Sequence, residues 1–213
     1  MSVVLFSSEL SVPCRVVRMV ARHINLLVTI KDVDGPDRER FKEELLKMDP
    51  PHAVPVLVDG SFTLFESHAI ITYLVDKYAS GSPLYPEDIE TRAEIMSYLM
   101  FDVGTLSRRM INYFYPILVH KAEPNSEAEP PMKDALQVLG YFLCHKRYLV
   151  GDQVTLADIA VAGTLSFSDA ADYSLSAYPR VQHYYHSLKE ELPYFAEENS
   201  KATEIFRKTE QKS

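Results

Sequence analysis

The sequence predicts an α/β domain followed by an all-helical one. Three observations carry this. Residues 3–30 read as strand, helix, strand; two short apolar runs then flank an Asp-Gly pair; and no strand signal follows Phe65.

Val3-Val4-Leu5-Phe6 is an apolar run closed by Ser7-Ser8-Glu9, the pattern of a buried strand. From Pro13 to Ile24 the residues Val16, Val17, Val20, Ala21 and Ile24 recur at helical spacing, with Arg15, Arg18 and Arg22 on the other face. Pro13 sits in the first turn, where a helix has no amide to lose. Leu26-Leu27-Val28-Thr29-Ile30 reads as a second strand, and the crossover makes the pair parallel. A short helix over 41–48 is followed by Val54-Pro55-Val56-Leu57-Val58, the turn Asp59-Gly60-Ser61 and Phe62-Thr63-Leu64-Phe65, a hairpin. Ile70, Ile71, Leu74 and Tyr78 then mark a helix. The order βαβ, ββα predicts a four-stranded mixed sheet with helices packed on it.

Ala79-Ser80-Gly81-Ser82-Pro83 is the expected boundary, giving a domain over 1–79, a linker over 80–87 and a helical domain over 88–213. A long helical pattern covers 87–119, with Pro116 expected to kink or end it. Residues 123–131, rich in proline and glutamate, read as a loop. Leu136, Leu139, Phe142 and Leu143 mark the next helix. Thr155 and Asp158, three apart, form an N-cap pattern ahead of the apolar segment 159–165, so that helix belongs in a core. A further helix follows Pro179.

Composition narrows the function. Of 213 residues 46% are apolar and 24% charged, with only 7 Gly and 13 Pro, which excludes collagen-like and disordered classes. Lys and Arg number 22 against 30 Asp and Glu, a net charge of −8, whereas a nucleic-acid partner calls for a basic surplus. No apolar run approaches the roughly 20 residues that span a bilayer, and no signal-peptide pattern opens the chain, so a cytoplasmic protein without a membrane partner is expected. Two cysteines are no disulfide framework. The histidines show no metal-ligand spacing, and no metal is expected.

Three local features carry chemistry, and each has a plainer reading. Ser11-Val12-Pro13-Cys14 lies where strand one meets helix one, a junction with open amides and the positive end of the helix dipole. Ser11 either stabilises a thiolate brought by a ligand or is only an N-cap. In His52-Ala53-Val54-Pro55, a cis Val54-Pro55 bond leaves the Val54 backbone free to pair with an extended peptide; otherwise this is an edge-strand proline. In Glu66-Ser67-His68, Glu66 suits an ammonium, while Ser67 and the helix-start amides suit a carboxylate; the alternative is an ordinary helix start. Together the three features meet the demands of a γ-glutamyl-cysteinyl-glycine tripeptide.

The segments S-V-P-C-R, H-A-V-P-V-L-V-D, E-S-H-A-I-I-T-Y-L, L-Y-P-E-D, F-D-V-G-T-L and L-V-G-D-Q-V-T-L-A-D-I-A resemble the insect delta and epsilon classes of cytosolic glutathione S-transferase over essentially the whole chain. F-D-V-G-T-L is delta-like and E-S-H-A-I epsilon-like, so a divergent or unclassified member also fits. The resemblance implies a thioredoxin-like N-terminal domain, an all-helical C-terminal domain, a homodimer, and glutathione as co-substrate with a small hydrophobic electrophile. It makes Ser11 the catalytic hydroxyl. It gives glutathione binding to His52, Val54, Pro55, Glu66, Ser67 and His68, the last at a place often held by arginine. For the electrophile pocket it implies Pro13, Ser107, Tyr113, Phe114, Ile117 and Phe206; read from spacing alone, the aromatic cluster at 113–115 is core. Ser107 stands where delta enzymes often carry an aromatic residue. Arg40 stands where the family commonly has a second glutathione-contacting histidine, and members of such charge runs usually face solvent. Conjugation of the glutathione thiolate to electrophiles is the expected activity. A non-catalytic protein sequestering hydrophobic ligands is the alternative, and a purely structural dimer would be expected to lose the glutathione clamp.

Overall fold

The structure, a computed structural model, describes residues 3–48 and 53–210. The chain folds as two compact units, residues 1–82 and 83–213.

The first unit is a four-stranded sheet in the order β2-β1-β3-β4. Strand β1 (Val3–Ser7) pairs in parallel with β2 (Val28–Asp32) and antiparallel with β3 (Val56–Asp59), which pairs antiparallel with β4 (Phe62–Phe65). The mixed sheet is the one the element order predicts. Helix α1 (Val12–His23) follows β1, α2 (Arg38–Leu46) follows β2, and α3 (Ser67–Tyr78) follows β4. Leu5 and Leu57 on the central strands are buried, as are Val16, Val17 and Val20 of α1 and Ile70, Ile71 and Leu74 of α3, while Phe6 and Val56 point to the opposite face and cluster with Val33 and with Leu45 of α2.

Strand β2 begins two residues later than the apolar run suggests. Asn25 has φ +54° and the Leu26 N–H bonds back to the Ala21 carbonyl, so 25–27 close helix α1 and leave Leu27 93% exposed. Turn chemistry outweighs hydropathy there. Arg15 also differs from its expected place on an exposed face: it is 3% exposed. Cys14 is buried, as a thiol inside an apolar sheet–helix interface should be.

The β3–β4 turn is fastened to α3 by one carboxylate. Asp59, 6% exposed, accepts hydrogen bonds from Lys77 Nζ at 2.6 Å, Tyr78 Oη at 2.6 Å and Tyr73 Oη at 2.8 Å. The Lys77 ammonium, then the Tyr78 hydroxyl, hold the Asp59 carboxyl down to about 2. Hydrogen bonding to Asp59 raises Lys77 in turn.

The second unit has helices and no strand among its described residues. Helix α4 (Ile89–Phe101), a π-helical turn over Asp102–Leu106 and α5 (Ser107–His120) run on without a break. Pro116 neither ends nor interrupts this assignment: the helix continues one more turn and stops at Lys121, in the left-handed region. The prolines of the expected loop at 123–131 instead open α6 (Glu129–Phe142), with Pro130 and Pro131 in its first turn. Helix α7 (Leu156–Ala170) is buried at every position except Asp169. Its hydroxyls turn inward on the helix itself: Ser166 donates to the Gly163 carbonyl and Ser168 to that of Leu165, each at 2.6 Å. The capping box of Thr155 and Asp158 is present. The Asp158 carboxylate also accepts from the Leu149 N–H at 2.9 Å and Tyr184 Oη at 2.8 Å, tying α8 (Pro179–Glu191) to the start of α7. Residue 206, read from sequence as lying in a tail, belongs to a further helix, α9 (Phe195–Glu210).

The Asp59 cluster gives a test in acid. The folded carboxyl titrates near 2, below the roughly 3.9 of an unfolded Asp. Its contribution is therefore complete above about pH 4 and is lost as pH falls toward 2. Between pH 5 and pH 2 the urea midpoint should fall farther in the parent protein than in Asp59→Asn, which should start lower and vary less.

Candidate functional site

The site candidates of the first unit lie at the ends of strands and the starts of helices. Ser11 is the N-cap of α1, with extended backbone at φ −79° and ψ 114°, and its Oγ accepts from the Cys14 N–H at 3.4 Å. The N-cap reading is therefore correct, and it leaves the hydroxyl hydrogen available to a second partner. Burial pushes the Cys14 thiol above its ordinary value, against weaker opposing contributions from the Ser11 hydroxyl and the Ser8 amide. A buried thiol held protonated is a poor nucleophile, so Cys14 itself is not the reactive group of this junction. Pro13 is half-buried in the same turn.

The Val54-Pro55 peptide bond is cis, as the sequence predicts. Pro55 is buried and leads into β3. Among the described residues none pairs with the Val54 backbone N–H or C=O, an arrangement suited to pairing with a peptide strand. His52 lies outside the described residues.

Glu66 links β4 to α3 with φ +68° and ψ 108°, far from the usual basins of a side-chain-bearing residue. That geometry leaves Glu66 exposed and puts the first amide of α3 on Ser67, which is buried. The helix has no side-chain cap. Ser67 Oγ lies 3.4 Å from Nδ1 of the half-buried His68. An exposed carboxylate beside an uncapped helix start suits a zwitterion, an ammonium for Glu66 and a carboxylate for the amides. A strained residue at such a point has the character of a functional constraint.

Arg40 is 66% exposed at its side chain, pairs with Glu44 at 3.6 Å along α2 and lies over the Phe41 ring at 5.0 Å. The solvent-facing reading of its charge run describes it. Among the described residues no group of three or more His, Cys, Asp or Glu is placed to hold a metal.

In the second unit the pocket candidates fall on α5 and α9. Ser107 is 9% exposed, Tyr113 6%, Phe114 1% and Phe206 5%, while Ile117 is half-buried. Phe114 stacks on Phe167 of α7, with ring centroids 6.3 Å apart, and both Tyr113 and Phe114 meet Tyr173 edge-on. These two aromatics therefore do core work inside the helical unit, whatever else they line. The Phe206 carbonyl accepts from Lys121 Nζ at 3.3 Å, which fixes α9 against the end of α5.

Two features escaped the sequence. One is the backbone of Glu66, which no residue type announces. The other is the part played by Arg15 and Arg18, whose side chains reach back to the loop ahead of Ser11. The available signal was electrostatic: an arginine in the first turn of a helix stands at the wrong end of the dipole.

Family models match two parts of the chain, the glutathione S-transferase N-terminal domain over residues 5–83 and its C-terminal domain over residues 106–191. The chain is a member of the glutathione S-transferase family. Among solved structures it resembles a delta-class glutathione transferase of Nilaparvata lugens, with 33% identity over 96% of both chains and a TM-score of 0.87. It is also similar to an unclassified glutathione S-transferase of Bombyx mori, at 30% identity, 97% of this chain, 95% of that one and a TM-score of 0.87. An epsilon-class enzyme of the housefly Musca domestica matches at 27% identity, 96% and 95% coverage and a TM-score of 0.84. Delta, epsilon and unclassified insect enzymes thus all stand among its structural neighbours.

Glu66 yields a stability test. Replacing it by glycine should relieve backbone strain of about 1 kcal/mol while removing an exposed carboxylate from the start of α3. Glu66→Gly is expected to raise the urea midpoint and, in the same preparation, to raise KM for glutathione.

Proposed function

We infer that this glutathione S-transferase conjugates glutathione to small hydrophobic electrophiles, with Ser11 as the residue that stabilises the thiolate. The observation that carries this reading is the Ser11 hydroxyl at the head of α1, its oxygen engaged by Cys14 and its hydrogen free to donate. A hydroxyl donor together with the open amides of a helix start favours the ionised sulfur over the thiol. The thiolate attacks the electrophilic carbon; a carbon–sulfur bond forms and the leaving group departs with its electron pair. Most of the catalysis consists of holding the two reactants together and keeping one of them ionised.

The tripeptide would lie across the first unit. Its γ-glutamyl end meets Glu66, Ser67 and the α3 amides, its cysteinyl backbone pairs with Val54 ahead of Pro55, and its glycyl end is met by His52. His68 supplies an imidazole ring in place of a guanidinium. For the electrophile we assign Ser107, Tyr113, Phe114, Ile117 and Phe206 of the second unit. The small Ser107 side chain favours bulkier substrates than an aromatic residue at that place would admit. No described helix is long and apolar enough to cross a membrane, and with an acidic chain this supports a cytosolic protein working on dissolved electrophiles. The intact clamp and the presence of Ser11 favour an enzyme over a sequestering protein.

Replacing Ser11 by alanine separates the two. Ser11→Ala should lower kcat by about 10²-fold, the cost of one lost oxyanion-type donor, while KM for glutathione changes little. Turnover with a chlorinated aromatic electrophile measures this, and equal turnover in parent and variant would remove Ser11 from catalysis.

The assembly is proposed to be a homodimer, supported by family membership and by exposed apolar residues on both units, Phe62 and Phe65 on β4 and Met100 and Val103 about the π turn. Light scattering at low protein concentration without glutathione should give about twice the mass of the chain. A monomer that still conjugates glutathione would refute it.

A further inference from the structure

Three residues, Ser8, Glu9 and Leu10, separate the end of β1 from Ser11 and belong to no regular element. The position of the Ser11 hydroxyl depends on them, because loop freedom there becomes freedom of the helix start. Two guanidinium groups remove it. Arg15 Nη1 donates to the Glu9 carbonyl at 3.1 Å and to the Leu10 carbonyl at 3.0 Å. Arg18 Nη1 donates to Ser7 Oγ at 2.8 Å and to the Ser8 carbonyl at 3.4 Å, and its Nη2 pairs with the Glu9 carboxylate at 3.2 Å. Every residue from Ser7 to Leu10 is thus gripped by an arginine that stands on α1. The Ser7 carbonyl accepting from the Val33 N–H, and Ser8 Oγ donating to Asp34, hold the other side of the loop.

Helix stability does not explain the arrangement. Arg15 lies in the first turn, where the dipole opposes a cation, and at 3% exposure it is removed from water as well. What a guanidinium offers there is shape: a rigid fork reaching two successive carbonyls, which a lysine ammonium cannot span in one geometry. The loop held this way leads directly into the residue that meets the sulfur.

We propose that Arg15 and Arg18 are positioning residues for Ser11: two forks on α1 that fix the segment Ser7 to Leu10 and thereby set where the Ser11 hydroxyl meets a bound glutathione sulfur. The proposal rests on Ser11 having the role assigned above. Their action passes entirely through Ser11, which separates them from residues that bind the tripeptide. A misplacement of about 1 Å at a reacting centre can cost about 10²-fold in rate, so loosening the loop is enough to be measured.

The test is a double-mutant cycle. Arg15→Lys keeps the charge and loses the fork; Arg18→Lys does the same at the less buried position and guards against an Arg15 variant that fails to fold. Each lysine variant should lower kcat about tenfold with KM for glutathione within about threefold of the parent, as expected when only transition-state placement is lost. The pH at which kcat/KM reaches half its maximum should rise, because the thiolate has lost its donor. In a Ser11→Ala background the same lysine substitutions should cost less than about twofold, since there is no hydroxyl left to place. Equal losses in both backgrounds, or a lowered melting temperature with an unchanged pH profile, would make the arginines structural only and overturn the proposal. Failure of the reading beneath it looks different: Ser11→Ala would then turn over as fast as the parent, before any arginine is changed.

Discussion

A serine hydroxyl accepts and donates at once, and the first unit depends on that at one atom. Ser11 Oγ takes the Cys14 N–H, closing the start of α1, and the same group keeps a hydrogen for a ligand. Had the cap been aspartate, the helix would be as well closed but the ligand's thiolate would face a negative charge. Had it been cysteine, the thiol would compete with the incoming sulfur for ionisation. The weak 3.4 Å contact suits the double duty, because an acceptor lightly engaged loses little when its hydrogen is pulled outward.

Backbone accounting places the remaining site features. A polar main-chain group must pair within the fold, with water or with a ligand. Most of the sheet is closed by its own ladders from β2 through β1 and β3 to β4. Openings occur beyond the ladders: at Val54, ahead of β3, and at the start of α3, where Glu66 has a positive φ and offers no cap. The second unit shows the opposite economy. Around the start of α7, Asp158 collects the Thr155 and Leu149 amides and two hydroxyls, leaving nothing for a ligand, and burial raises its carboxyl all the same. The start of α3 leaves main-chain groups uncapped, whereas the start of α7 closes its own.

The fold was legible wherever local chemistry and hydropathy agreed. Asp59-Gly60 gives a hairpin, Thr155 with Asp158 gives a helix start, and each is found in place. It was less legible where one signal stood for two structures. Leu26 and Leu27 are apolar enough for a strand but are used to leave a helix, and Pro130 and Pro131 break a pattern from within the first turn of α6. Of the site, Ser11, the cis Val54-Pro55 bond and Ser67 could be located by motif. The strain at Glu66 could not, because φ is imposed by the join of β4 to α3 and not by residue type. Arg15 was misplaced because periodicity ranks a residue by polarity, whereas a guanidinium can be buried once its donors find carbonyls.

Main-chain groups are set by the fold, and the fold tolerates wide divergence of sequence. Identities of 26–33% accompany TM-scores of 0.84–0.90. Side chains that only shape the sheet can drift within volume limits, since the Val54 amide and carbonyl and the α3 amides stay where the fold puts them whatever the neighbouring residues are. The second unit has no comparable backbone constraint on its α5 face. On the function proposed above, a change at Ser107 leaves the tripeptide undisturbed, which would give substrate preference to the helical unit and the chemistry of the sulfur to the sheet.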